Sequence, residues 1–138
     1  PEMSRGLGDV YKRQVLICDY KGFKAPEMIK ARPVIVISPR FRSHSNICTV
    51  VPLSTTPPNV IENYHMKVHF ERNLPSPFDA NEHWIKADML NTVSFERLSL
   101  IKCGKGPNGT RKYLDICLSD EQLAELESKI KLALGIKD

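Results

Sequence analysis

The stretch RPVIVISP, residues 32–39, followed after a polar turn by ICTVVPLSTT, residues 47–56, decides the fold of this chain. Both stretches are rich in β-branched residues and almost continuous in their apolar content, which is typical of strands buried on both faces. Pro33 comes at the start of the first stretch, where a strand tolerates the loss of a backbone donor. The pair therefore predicts two core strands.

Shorter stretches with β propensity surround this pair, and turn signals separate them. Asn108-Gly109 is typical of a hairpin turn, because both residues readily adopt positive φ. Ser94 begins a further turn. The predicted strands are VLICDY (15–20), YHMKVHF (64–70), WIKADML (84–90), two short strands within NTVSFERLSLIKCG (91–104), and YLDICL (113–118).

The last element is the one convincing helix. Ser119 and Gln122 form a capping box, and Gly135 supplies the stop. An apolar stripe lies on one face, formed by Leu123, Leu126, Ile130 and Leu134. Many short strands and one terminal helix predict a mainly β (α+β) domain over residues 15–138, either a small barrel or a strongly bent antiparallel sheet with the helix packed on it.

Composition restricts the class of protein without identifying it. The 138 residues fit one domain, and the net charge of +4 with a pI of about 9.0 permits a polyanionic partner without requiring one. No apolar run has the length of a membrane span, and the N-terminal segment lacks the apolar core of a secretory signal. The four cysteines form no CxxC pair, which predicts buried free thiols in a reducing cytoplasm.

The histidines do not predict a metal site. His65 and His69 occur in an alternating, strand-like stretch, where residues four apart lie roughly 13 Å from each other, too far to share one ion. A solvent-facing strand edge is the better interpretation. His44 and His83 fall in predicted loops without an evident partner.

Polar residues interrupt three of the predicted strands. Arg32 opens the first core stretch, and a hydroxyl run at residues 54–56 ends the second. Lys86 and Asp88 alternate within WIKADML and would share one face of a regular strand. The simplest interpretation is that these are solvated strand ends.

A family resemblance favours a functional interpretation. The segments KARPVIVISP, CTVVPLSTT and WIKADMLNTVSFERL, in this order and ahead of a terminal helix, resemble the PemK/MazF family of toxin-antitoxin ribonucleases. The resemblance extends over about residues 15–134. It implies a small SH3-like barrel, usually a homodimer, that cleaves single-stranded RNA in the cytoplasm without a metal or other cofactor. A cognate antitoxin, which typically inserts an acidic, partly disordered segment into the RNA groove, would be its partner.

The same resemblance implies roles for individual residues. Arg32, which cannot readily lose a proton, would stabilise the transition state. Asp88 would be the general base if it is buried, because burial disfavours the carboxylate. Lys86 would stabilise charge or donate a proton. The implied catalytic set is Arg32, Ser54, Lys86 and Asp88, and the implied substrate-binding set is Glu27, Thr55 and Thr56.

Three departures from the family pattern keep alternatives open. The loop after the first strand reads FKAPEM, a lysine stands at position 86 where some members have arginine, and FERNLPSPFDANEH is longer than the usual connection. Lysine keeps the charge but lacks the planar fork for bidentate phosphate contact. The alternatives are a non-catalytic toxin that poisons DNA gyrase by binding, and a degenerate member that binds only an antitoxin.

The N-terminal segment has a resemblance of its own. SRGLGDVYKRQ, residues 4–14, resembles one reading-frame translation of a tagmentation sequencing adaptor. This predicts that residues 1–14 are largely non-native and are disordered or loosely packed. Residues 4–14 carry three basic side chains against one acidic, so without them the charge argument for RNA weakens.

Overall fold

A computed structural model describes residues 10–43, 46–80 and 82–137. The described chain forms an antiparallel sheet in the order β4-β5-β3-β2-β1-β7, with β6 also pairing with β3, and a separate β8-β9 hairpin. The strands are β1 Val15–Asp19, β2 Ala31–Val36, β3 Ile47–Ser54, β4 His65–His69, β5 Glu82–Lys86, β6 Asn91–Ser94, β7 Leu98–Ser99, β8 Ile101–Lys105 and β9 Arg111–Leu114. The single described α-helix, α1, is Asp120–Leu134.

The two core stretches form the centre of the sheet, as predicted. β2 pairs with β3 in the register Val34↔Pro52, and β1 pairs with the other edge of β2. Alternate side chains enter different clusters, because successive residues of a strand point to opposite faces. Ile35 and Val51 pack in one cluster, beneath α1. Val34 and Val50 pack in the other, on the opposite face.

Helix α1 begins and ends as its sequence predicts. The Ser119 hydroxyl accepts a hydrogen bond from the Gln122 amide, and the Gln122 side chain accepts one from the Ser119 amide. Gly135 ends the helix with a φ of 70°. Leu126 is fully buried, whereas Leu134 at the end of the predicted apolar stripe is 54% exposed.

The predicted fold class is confirmed. The described chain is a mainly antiparallel sheet with a C-terminal helix, and the sheet is not closed into a barrel. None of the described helices is long and apolar enough to span a membrane.

Strand β5 differs from its prediction at both ends. It begins at Glu82, because Glu82 and His83 pair with the last residues of β4. His83 is therefore a buried strand residue with 1% exposure, and its assignment to a loop is wrong. His44 lies outside the described residues. At its other end β5 stops at Lys86, and a single 3-10 turn, Ala87–Met89, follows.

The prediction of buried free thiols holds for part of the set. All four cysteines are free, and Cys18 and Cys48 are buried in the core. Burial raises the pKa of Cys18 to about 11 and that of Cys48 to about 12, so both stay protonated. Cys117 is exposed, and the prediction is wrong there because β9 ends at Leu114, before the cysteine enters a strand.

The described end of the N-terminal segment is packed. Gln14 is 4% exposed and forms a bridge with Cys117. The amide of Arg13 donates to the carbonyl of Val36 at 2.7 Å, and its carbonyl accepts from the amide of Leu118 at 3.0 Å. Loose packing is therefore the wrong expectation for residues 10–14, because their backbone extends the sheet between β2 and the chain after β9.

Leu126 provides a test of how much the helix contributes to stability. Leu126→Ala is expected to lower the free energy of unfolding by about 2–5 kcal/mol, because the side chain is fully buried between the helix and the sheet. Leu132→Ala, at a position that is 46% exposed on the same helix, is the matched control, with an expected change below about 0.5 kcal/mol. Equal losses in urea unfolding would contradict this packing.

His83 predicts a loss of stability in acid. Burial lowers its pKa, so protons bind the unfolded chain more readily, and stability falls as the pH drops through the unfolded value of about 6.5. His83→Gln is expected to show a smaller decrease in melting temperature between pH 7.5 and 5.5 than the parent protein. His69→Gln, at an exposed position on the neighbouring strand, should retain the full decrease.

Candidate active site

Arg32 and Ser54 lie on the same face of the sheet, at the ends of its two central strands. Continuing the β2-β3 register by two residues from Val34↔Pro52 brings Arg32 opposite Ser54. Both follow the alternation of Val34 and Val50, so they share the face that lies away from helix α1. A cationic side chain and a hydroxyl therefore meet on adjacent strands.

Lys86 and His65 lie on this same face, further across the sheet. Leu53 pairs with Ile85, and both pack in the cluster beneath the helix, so the next residue, Lys86, points to the opposite side. His65 is the register partner of Lys86 on β4. We call the face that carries Arg32, Ser54, Lys86 and His65 the site face.

The hydroxyl of Ser54 is held in position by hydrogen bonds to the backbone of Thr56. The side chain accepts a hydrogen bond from the Thr56 amide at 3.1 Å and contacts the Thr56 carbonyl at 3.3 Å. Ser54 is 5% exposed, whereas Thr55 and Thr56 are exposed. The turn thus fixes Ser54 and leaves the two threonines at the surface.

Arg32 is held by one hydrogen bond and keeps its terminal nitrogens available. Its Nε donates to the carbonyl of Ile29 at 3.1 Å. Within the described residues its other guanidinium nitrogens have no hydrogen-bond partner. The charge of Arg32 acts to lower the pKa of the Tyr20 phenol. Burial of the ring has the larger effect, and the pKa of Tyr20 is therefore raised.

Lys86 and Asp88 do not share a strand face, so that prediction is wrong. The strand ends at Lys86 because the following Ala87 is fully buried in a 3-10 turn that contacts helix α1. The turn moves Asp88 out of the β alternation and leaves its side chain 39% exposed. The burial that the predicted role of a general base requires is therefore absent.

Asp88 and Glu27 line one depression of about 340 Å³ next to the site face. Apolar and aromatic side chains form most of its wall, and they include Tyr20, Phe23 and Met28. Glu27 is used by its own loop, because its carboxylate accepts the Lys24 amide at 2.7 Å. Asp88 is therefore the other carboxylate of the depression, and its contact with Nε2 of His65, at 3.9 Å, is long.

The described residues contain no group of three or more His, Cys, Asp or Glu side chains that could hold a metal ion.

Comparisons with known proteins identify the family. The model for PemK-like, MazF-like toxins of type II toxin-antitoxin systems matches residues 11–134. The chain belongs to this family. The uncharacterized protein YifN of Escherichia coli K12 is 34% identical over 114 residues, which cover 80% of this chain and 71% of YifN.

Solved PemK/MazF-type structures share the fold. An endoribonuclease from a mycobacterial species, in complex with its cognate antitoxin, is 18% identical with a TM-score of 0.62, over 94% of this chain and 99% of that one. The Mycobacterium tuberculosis toxin MazF-mt6 is 20% identical with a TM-score of 0.60, over 91% and 100% of the two chains. At these identities the likeness establishes the fold.

In this member of the PemK/MazF family, His65 is the site residue that the sequence did not reveal. Its side chain is only 7% exposed, so the prediction of a solvent-facing residue is wrong here, although His69 is exposed as predicted. Its Nε2 lies 3.9 Å from the Asp88 carboxylate. The alternation of YHMKVHF predicted the strand that carries His65. The contact between His65 and Asp88 depends on the turn after β5, and nothing in the sequence around His65 predicts that turn.

The protonation pattern of neutral His65 follows from its backbone contact. The Glu62 amide donates to Nδ1 at 2.9 Å, so in the neutral ring Nδ1 carries no proton and Nε2 does. The distance of 3.9 Å from Nε2 to Asp88 is longer than a hydrogen bond. The Nε2 proton is therefore available to a ligand that reaches the site face.

Nuclear magnetic resonance of the imidazole nitrogens tests this arrangement. At pH 8 the ¹⁵N shifts of His65 are expected to show a protonated Nε2 and an unprotonated Nδ1. His69, whose ring is exposed, is the internal comparison and should show the mixture of tautomers of a free histidine. Protonation of His65 at Nδ1 would contradict the contact with Glu62.

Proposed function

We propose that this chain is a toxin-type endoribonuclease that cleaves single-stranded RNA without a metal ion and is neutralised by a cognate antitoxin. The observation that carries the proposal is the site face itself. It presents Arg32 and Ser54 near each other at the ends of adjacent strands, with Lys86 and His65 further along and Asp88 at its edge. Family membership and endoribonucleases of the same fold support it.

The proposed reaction is attack of the RNA 2′-hydroxyl on the adjacent phosphorus. The O2′–P bond forms and the P–O5′ bond breaks, which yields a 2′,3′-cyclic phosphate and a 5′-hydroxyl. Asp88 takes the proton of the 2′-hydroxyl, and Lys86 donates a proton to the departing O5′. Bound RNA would cover Asp88 and supply the desolvation that the free protein lacks.

The remaining side chains stabilise the phosphorane. Arg32 has terminal guanidinium nitrogens available to bind two phosphate oxygens. Ser54 and Thr55 hydrogen-bond the scissile phosphate, and Glu27 and Thr56 contact neighbouring parts of the substrate. His65, whose Nε2 lies beside Asp88, donates from Nε2 to the same phosphate.

The partners follow from the charge of the site. An acidic, partly disordered antitoxin segment would compete with RNA for Arg32 and Lys86. One structural neighbour was solved with its own cognate antitoxin, which supports a partner of this kind. We further propose a cytoplasmic homodimer, whose mass in sedimentation equilibrium should be twice that of the 15.7 kDa chain.

Cleavage assays in EDTA test the nuclease proposal. The parent protein should cut single-stranded RNA in EDTA, and Arg32→Ala should lower kcat by about 10²–10³-fold, because one preorganised donor to the transition state is lost. Arg111→Ala, an exposed arginine on β9 away from the site face, is the matched control and should keep full activity.

Two results would overturn this proposal. RNA that stays intact while DNA gyrase is inhibited would favour a binding toxin. RNA and gyrase that are both unaffected, with an antitoxin still bound, would favour a degenerate member. Equal cleavage rates for Arg32→Ala, Asp88→Asn and the parent protein would refute the assignment of residues.

A further inference from the structure

A second cavity, of about 370 Å³, opens at the start of β2 and the end of β3. It lies beside the long connection between β4 and β5. It shares Arg32 and Ser54 with the site face, and Thr55 also lines its wall. The other residues that matter here are Lys30, Phe78 and His83. Two cations and no acidic side chain line it among the described residues, unlike the depression at Asp88.

His83 is the unusual member of this wall. The residue is 1% exposed, and within the described chain neither ring nitrogen has a hydrogen-bond partner. The backbone of Ala80 lies close to the His83 ring and acts to raise its pKa. It does not have the geometry of a hydrogen bond to either ring nitrogen. A buried polar group left without a partner typically costs about 1–3 kcal/mol, so His83 is suited to a polar ligand that enters the cavity.

The backbone of Lys30 adds an independent observation. Its φ is 72°, a left-handed conformation that is uncommon outside glycine and carries an energetic cost. This conformation directly precedes β2 and puts an exposed lysine on the cavity wall beside Arg32. Such outliers concentrate where the surrounding fold holds a residue for binding.

The cavity has the size and lining of a nucleotide site. A volume of about 370 Å³ lies at the small end of the range of ligand pockets, roughly 300–1,000 Å³. Half-buried Phe78 offers an aromatic surface for stacking, and Lys30 and Arg32 offer charge for phosphate. Proteins that read single-stranded RNA stack unpaired bases on aromatic rings and hydrogen-bond their edges.

We propose that this cavity receives one unstacked nucleobase of the RNA next to the phosphate at Arg32, with Phe78 as the stacking surface and His83 as the residue that reads the base edge. The proposal rests on the proposed function for the identity of the ligand. A neutral imidazole has one donor and one acceptor, so His83 distinguishes bases by the groups on their edges. The long connection between β4 and β5 would thus determine part of the cleavage specificity.

Binding is tested first, without cleavage. The parent protein is titrated with AMP, GMP, CMP and UMP while the ring signals of His83 and His69 are followed by nuclear magnetic resonance. One or two of the nucleotides should shift His83 saturably and leave His69 unchanged. Inorganic phosphate or ribose 5-phosphate should not shift His83. If all four nucleotides leave His83 unchanged, or phosphate alone shifts it equally, the proposal is wrong.

Specificity is tested next, on RNA of random sequence. His83→Gln and Phe78→Leu should change the preference for one base beside the cut by about tenfold, measured as the ratio of kcat/KM between substrates that differ at that base. His69→Gln is the matched control, and melting curves identify variants that do not fold. An unchanged preference in folded His83→Gln would overturn the proposal even if RNA is cut.

The two tests separate this inference from the nuclease proposal. Nucleotide binding at His83 by a protein that does not cut RNA would refute catalysis and keep the base site. A His83 signal that responds to an acidic peptide and to no nucleotide would make the cavity a protein-binding site, and the base site would be rejected.

Discussion

Burial of the two central strands on both faces is the constraint on which the rest of the structure depends. Val34 and Ile35 enter different apolar clusters on opposite sides of the sheet, and Val50 and Val51 do the same on β3. Polar side chains are costly in the middle of such strands. They are tolerated at the ends, and Arg32 and Ser54 occupy the two strand ends that face each other. The core thereby determines where the chemistry can be.

The carboxylate of the site is positioned by the other side of the molecule. Ala87 is buried in the turn that follows β5 and packs near helix α1, while Asp88, one residue later, is exposed beside His65. The helix thus stabilises the turn that presents Asp88, although it lies on the opposite face from Arg32. A change in the helix should therefore act on both stability and the site.

Within the described residues, the buried side-chain atoms that lack a hydrogen-bond partner concentrate around the two openings of the site. The phenol oxygen of Tyr20 and Oδ1 of Asn91 belong to residues that line the depression at Asp88, and both nitrogens of His83 belong to the cavity beside Arg32. Such atoms are rare in folded proteins, and each lowers stability unless a ligand or water satisfies it. Their placement is what a surface built to bind polar groups requires.

The sequence by itself determined the two central strands, the helix with its cap and stop, and the family, because these follow from local periodicity, capping chemistry and ordered motifs. It also predicted that Arg32 and Ser54 lie at strand ends, since strand ends can be read from a pattern; their roles stay predictions. Tertiary structure alone decided that Lys86 ends a strand while Asp88 lies in the turn that follows. It also decided that His65 contacts Asp88 and that His83 is buried. Each of these depends on pairing or packing between segments distant in the chain, and hydrophobic periodicity within one segment carries no information about its neighbour.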